Sequence, residues 1–169
     1  MKKKSVISVK DIALIGMMTA TIEVAKDTLA FLPNVELVTL LIVLYTLFFG
    51  KRIFFAIPVF VFLQGLLYGF GIWWFMYLYV WPLLALLTFL FRNQTSLLFW
   101  SAFCGLYGLF FGALCSLPYI ILSGPTAALA WWVAGIPFDI IHGISNAVLC
   151  LVLYKPLQLA LRKLRNAWF

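Results

Sequence analysis

The sequence predicts an all-α membrane protein: a bundle of six transmembrane helices, both termini cytoplasmic, with a short amphipathic C-terminal tail. Three observations carry this. Hydrophobic residues make up 66% of the chain and charged residues 10%, with a mean hydropathy of +1.11. A soluble domain holds about 25% charged residues, and one of this size has too much surface to hide so many apolar side chains. Apolar runs recur between short polar breaks, and six spans of about 20 residues each use nearly all of a single domain over 1–169. The third observation is where the net charge of +7 sits. Lys2, Lys3, Lys4 and Lys10 precede the first span, Lys51 and Arg52 form one turn, and Arg92 marks another. Lys155, Arg162, Lys163 and Arg165 close the chain. These are membrane-flanking positions, not a nucleic-acid groove.

The first span covers 11–31 and ends at Leu32-Pro33-Asn34. Asp11, Glu23, Lys26 and Asp27 interrupt it and no small-residue cleavage site follows, so it reads as a mature helix and not a signal peptide. The second, 36–50, is short enough to be tilted or to start inside the protein. The third covers 53–69, the fourth 73–91, and the fifth 97–122, closed by Ser123-Gly124-Pro125. The sixth covers 126–154 with Pro137 inside it, which removes a backbone hydrogen bond and predicts a kink. The basic tail from Lys155-Pro156 is expected on the membrane surface. Every second connection holds Lys or Arg, while the turns at 32–36, 69–72 and 123–126 hold none. The positive-inside rule places the basic set in the cytoplasm, and six spans satisfy every connection.

Several constellations are candidates for function. Ala13, Gly16 and Ala20 make a small-residue stripe on the first span, suited to close helix approach, either to a partner or within the bundle. Glu23, Lys26 and Asp27 share a face and read either as a paired cluster or as the polar wall of a cavity. Trp73, Trp74, Trp131 and Trp132 suit an interfacial aromatic belt. Trp74, Tyr77 and Trp81 continue into the membrane as a stripe able to stack a flat ring, and Tyr119 and Trp132 join them as candidate pocket residues. Asp139, His142 and Asn146, spaced i, i+3, i+7, fall on one helix face and must look at protein or a cavity, not lipid. Three readings stand for them: a structural network with Asp139 paired to His142, a ligand contact, or a carboxylate–imidazole proton relay. Asn34 and Glu36 sit on a turn that can lid a pocket, or Glu36 is a plain helix-start carboxylate. Cys104, Cys115 and Cys150 read as buried hydrophobes, with no metal site. No nucleotide-binding or hydrolase motif is present, so the chain is read as a non-enzyme without a cofactor.

The stretches Ala13 to Ala20, Tyr68-Gly69-Phe70-Gly71-Ile72-Trp73-Trp74, and Pro137-Phe138-Asp139-Ile140-Ile141-His142 with Asn146 are similar to the S components of energy-coupling factor (ECF) vitamin transporters. Together with the topology, the resemblance covers essentially the whole chain. It implies a subunit that captures one micronutrient from outside the cell and docks by its first helix on a transmembrane T subunit driven by two cytoplasmic ATPases. The location implied is the plasma membrane of a bacterium. The family's docking motif is Ala-xxx-Ala; Gly16-xxx-Ala20 keeps the small surface and departs in the first residue. A corrinoid, a flavin, a pterin, a pyrimidine or a purine-like base is compatible with the aromatic stretches. The alternatives are a small membrane enzyme using Asp139 and His142, or an assembly subunit without a ligand.

Overall fold

The computed structural model describes residues 7–168, all helices and turns among them; Lys2, Lys3 and Lys4 lie outside the described residues. The helices are α1 (Val9–Thr28), α2 (Val38–Phe49), α3 (Ile53–Tyr68), α4 (Ile72–Leu90), α5 (Leu97–Leu109), α6 (Phe111–Ser123) and α7 (Pro125–Trp168), with a 3-10 turn at Gly50–Arg52. Four stretches are long and apolar enough to cross a membrane: Val38–Tyr68, Ile72–Leu90, Leu97–Ser123 and Pro125–Trp168. The chain is therefore an all-α, membrane-type protein. The charges at Asp11, Glu23, Lys26 and Asp27 keep α1 out of that set.

Local chemistry sets the helix ends. Ser8 caps α1 in a reciprocal box with Asp11, each side chain bonding the other residue's backbone N–H. The helix stops at Thr28, three residues earlier than the sequence suggests. Gly50, at φ +61°, breaks α2 with a left-handed residue that suits glycine. The chain reverses there. Tyr45 meets Thr21, so α2 runs against α1; Thr19 bonds Ala56 and Gln64 bonds Glu23, so α3 runs with α1. At 12 residues, α2 is about 18 Å long. It is buried from Val38 to Thr46, making it the centre of the bundle instead of a lipid-facing span.

The fifth span is one apolar stretch long enough to cross a membrane, Leu97–Ser123, although Phe110, at ψ 2°, divides it into α5 and α6. One expectation needs correction: the C-terminal tail is not a separate element. α7 runs unbroken through Pro137 and Pro156 to Trp168. Its last turns are amphipathic, but Leu157, Leu161, Leu164 and Trp168 pack on the hydrophobic core. The end is tied down by Arg165 over the Phe48 ring and by Lys10 donating to the Trp168 carbonyl. Burial of that apolar stripe against the bundle stabilises the continuous helix.

α7 packs along both α5 and α6. Cβ atoms added at Gly105 and Gly108 would meet the α7 backbone at 3.3 and 2.9 Å, so these glycines set the closeness of the helices. Lys10, Lys51, Arg52, Arg92, Arg162, Lys163 and Arg165 gather at one end of the bundle. The turn at 29–37, the start of α4 and the start of α7 form the other.

Candidate functional site

The end without the basic cluster holds a cleft of about 500 Å³ between the 29–37 turn, α4, α6 and α7. Its aromatic wall begins on α4, where Trp73, Tyr77 and Trp81 are one turn apart on one face. Trp73 and Tyr77 meet edge-to-face at 5.4 Å, and Tyr77 and Trp81 at 5.3 Å. Trp81 then meets Phe111 at 5.4 Å, and Phe111 meets the His142 ring at 4.9 Å. The stripe predicted from Trp74 is thus built from Trp73 instead. Trp74 turns away from the cleft, donates its indole N–H to the Val61 carbonyl at 2.9 Å and packs on Phe70. Of the predicted residues, Asn34, Tyr77 and Asp139 line the cleft. Trp81 is buried behind Tyr77, and Tyr119 stacks at 5.1 Å on Trp131, which does line it.

The interruption at Phe110 supplies the polar end. Because α6 starts anew at Phe111, its first N–H groups have no partner one turn back. The N–H of Gly112 donates at 2.9 Å to Asp139 Oδ1 of α7. The carboxylate therefore caps α6 from a neighbouring helix, where the helix dipole favours a negative charge. Glycine is needed at 112: a Cβ there would lie 2.3 Å from Asp139 Oδ2 and 2.6 Å from Oδ1. Asp139 is 6% exposed, and its Oδ2 has no hydrogen-bond partner among the described residues. Trp132, two turns earlier on the same face, brings its half-buried indole towards this carboxylate without completing a hydrogen bond.

Asp139 and His142 do not pair. The His142 Nε2–H donates instead to Glu36 Oε1 at 3.1 Å, while Glu36 Oε2 accepts from the backbone N–H of Thr39 at 2.9 Å. Glu36 is both a helix-start carboxylate for α2 and the partner of a buried imidazole. The lid residue of the sequence reading is thus part of the frame. Ser145 Oγ donates to the Asn34 carbonyl at 2.9 Å, a second tie between the 29–37 turn and α7. Asn146 is buried and donates to Thr39 Oγ1 at 3.3 Å, joining α7 to α2 behind the cleft. His142 and Asn146 hold the walls; Asp139 faces the space between them.

Sequence reasoning missed Trp73, Phe111, Cys115 and Trp131 as lining residues. The four-residue step from Trp73 to Tyr77 was available as a signal; the inward turn of Phe111 depends on the break at Phe110, which leaves no mark in composition. Cys104, Cys115 and Cys150 are free and buried. Among the described residues, no group of three His, Cys, Asp or Glu side chains is placed to hold a metal ion.

The other predicted cluster makes a seam between α1 and α3. Gln64 Nε2 donates to Glu23 Oε1 at 2.6 Å, the Tyr68 hydroxyl donates to Asp27 Oδ1 at 2.7 Å, and Lys26 Nζ lies 4.8 Å from the Tyr68 ring centre. None of the three charged residues lines the cleft. On the outer face of α1, Ala13, Gly16 and Ala20 are exposed, while Leu14, Met18 and Ile22 point into the core. Comparison of the chain with protein-family models, with curated proteins and with solved structures returns no match.

Proposed function

We propose that this chain is the substrate-binding S component of an ECF-type importer. It spans a bacterial plasma membrane six times and captures a vitamin or related micronutrient from outside. A T subunit with two cytoplasmic ATPases then drives its delivery. The observation that carries the reading is the aromatic-walled cleft with a buried carboxylate at the end of the bundle away from the basic residues. The positive-inside rule directs that end outward, and a concave, mostly apolar site with few polar groups is the form small-molecule sites take. Two further features fit. Ala13, Gly16 and Ala20 are exposed, Ala13 beside the end of α7, and a Cβ at Gly16 would meet nothing within 4 Å, which leaves a flat surface at Gly16 and Ala20 for another helix. The sequence carries no nucleotide motif, as suits a passive subunit.

The test is native mass spectrometry of the protein purified from its membrane, together with co-purification of its partners. The expected result is one retained small organic molecule and capture of a T subunit with two ATPases. That capture should be lost when Gly16 and Ala20 are replaced by leucine. A chain that retains no small molecule and captures none of these subunits overturns the reading.

A further inference from the structure

The geometry points to a cationic ligand: a flat molecule of one or two rings bearing an amidinium-like or protonated nitrogen group that pairs with Asp139. This rests on reading the cleft as the capture site and goes beyond it by naming the ligand's charge. Among the described residues, Asp139 is the one charged side chain lining the cleft, and no Lys, Arg or His lines it. An anionic ligand such as a phosphate ester would meet no counter-charge there and would face a carboxylate. That carboxylate is half satisfied. Oδ1 is held by Gly112 N–H, while Oδ2 is buried without a hydrogen bond, the Trp132 indole approaching the carboxylate without satisfying it. A buried polar atom left so is costly, and a charged N–H donor is the strongest remedy. The walls suit the same guest, because Trp73, Tyr77 and Trp131 line the cleft and aromatic rings attract cations.

Size and long-range field agree. A space of about 500 Å³ lies in the range of drug-sized ligand sites and favours a one- or two-ring molecule over a corrinoid. Among the described residues, Glu23, Asp27, Glu36 and Asp139 lie towards this end with two basic side chains, Lys26 and His142, the latter paired with Glu36. Such an acidic mouth raises the local concentration of cations.

The experiment uses the full chain in lipid nanodiscs and three probes of one shape: benzamidine, a cation at pH 7; benzamide, neutral; and benzoate, an anion. Binding is followed by tryptophan fluorescence. Benzamidine is expected to bind about tenfold or more tightly than benzamide, as a charge-assisted pair should, with benzoate weakest. Asp139→Asn, nearly isosteric, should bring benzamidine to the level of benzamide. Asp139→Glu, which keeps the charge, should preserve the order and guards against loss of the fold in the first variant. Benzoate binding as tightly as benzamidine, no binding of benzamidine, or an undiminished preference in folded Asp139→Asn would each overturn the inference. If the charge order fails while mass spectrometry still finds a retained neutral or anionic nutrient, the capture role stands and only the ligand's charge is refuted.

Discussion

Two polar clusters sit at the same end of this bundle and look alike in sequence. On α1, Glu23, Lys26 and Asp27 follow one face; on α7, Asp139, His142 and Asn146 do so. Each contains a carboxylate with one buried oxygen lacking a partner, Glu23 Oε2 and Asp139 Oδ2. What separates them is the neighbour. Glu23 is pressed against Gln64, which is fully buried, and the α1–α3 seam closes around both. Asp139 lies across the start of α6, where Gly112 leaves space, and opens on the cleft. An unsatisfied buried acceptor therefore does not mark a ligand site by itself. It does so where the packing beside it stops.

The comparison breaks most sharply at Gly112. Gly112→Ala places a methyl group against both oxygens of Asp139 and forces the carboxylate off the α6 N–H. The expected result is a loss of benzamidine affinity of about tenfold or more, with a fold cost in the usual range of about 1–3 kcal/mol for overpacking. Gly16→Ala, at an open position, should change neither. Equal benzamidine affinity in Gly112→Ala and the parent would show that the space above Asp139 is not where a ligand sits.

Glu36 comes next, because it joins the frame to the site. Glu36→Ala leaves the His142 N–H buried without its acceptor and removes the contact to the Thr39 N–H. A destabilisation of about 1–3 kcal/mol is expected, read as a lower unfolding midpoint in detergent. A double-mutant cycle with His142→Ala should return a coupling of about 1 kcal/mol or more. Strict additivity would mean that the 29–37 turn is held by the Ser145–Asn34 contact alone.

Much of this was legible in the residues. Helix positions followed from apolar runs punctuated by Gly50, Gly71 and Gly124, and the inward face of α7 followed from three polar residues that lipid would not tolerate. Pairing was not legible. His142 has Asp139 one turn away and yet bonds Glu36, a residue 106 positions distant, because the carboxylate of Asp139 is drawn to the N–H groups freed at Phe110. That break between apolar residues has no compositional signal. The choice of Trp73 over Trp74 was lost for a related reason: neighbours on a helix differ by about 100° in direction, and only the position of α3 decides which one faces out. The tail failed differently. Its amphipathicity was read correctly, but an apolar stripe suits a bilayer surface and a protein groove equally, and Phe48 and the core beneath it lie within reach of α7.

The smallest effect sharpens the comparison from the other side. In the α1–α3 seam, the oxygen of Gln64 and the second oxygen of Glu23 are both acceptors without a donor. A buried acceptor without a donor is unfavourable, and an amide in place of the acid turns one of these oxygens into an N–H that the Gln64 oxygen can accept. Glu23→Gln should therefore stabilise the protein by about 1 kcal/mol, the net worth of one added hydrogen bond, through a reciprocal amide pair across α1 and α3. Benzamidine binding should be unchanged, since Glu23 does not line the cleft. The parallel change Asp139→Asn alters binding, because there the missing donor is the ligand's own. A raised midpoint with unaltered affinity confirms that the two carboxylates do different work. A fall in affinity in Glu23→Gln would show instead that the seam is coupled to the cleft, and that the negative charge of α1 belongs to the capture of the cation.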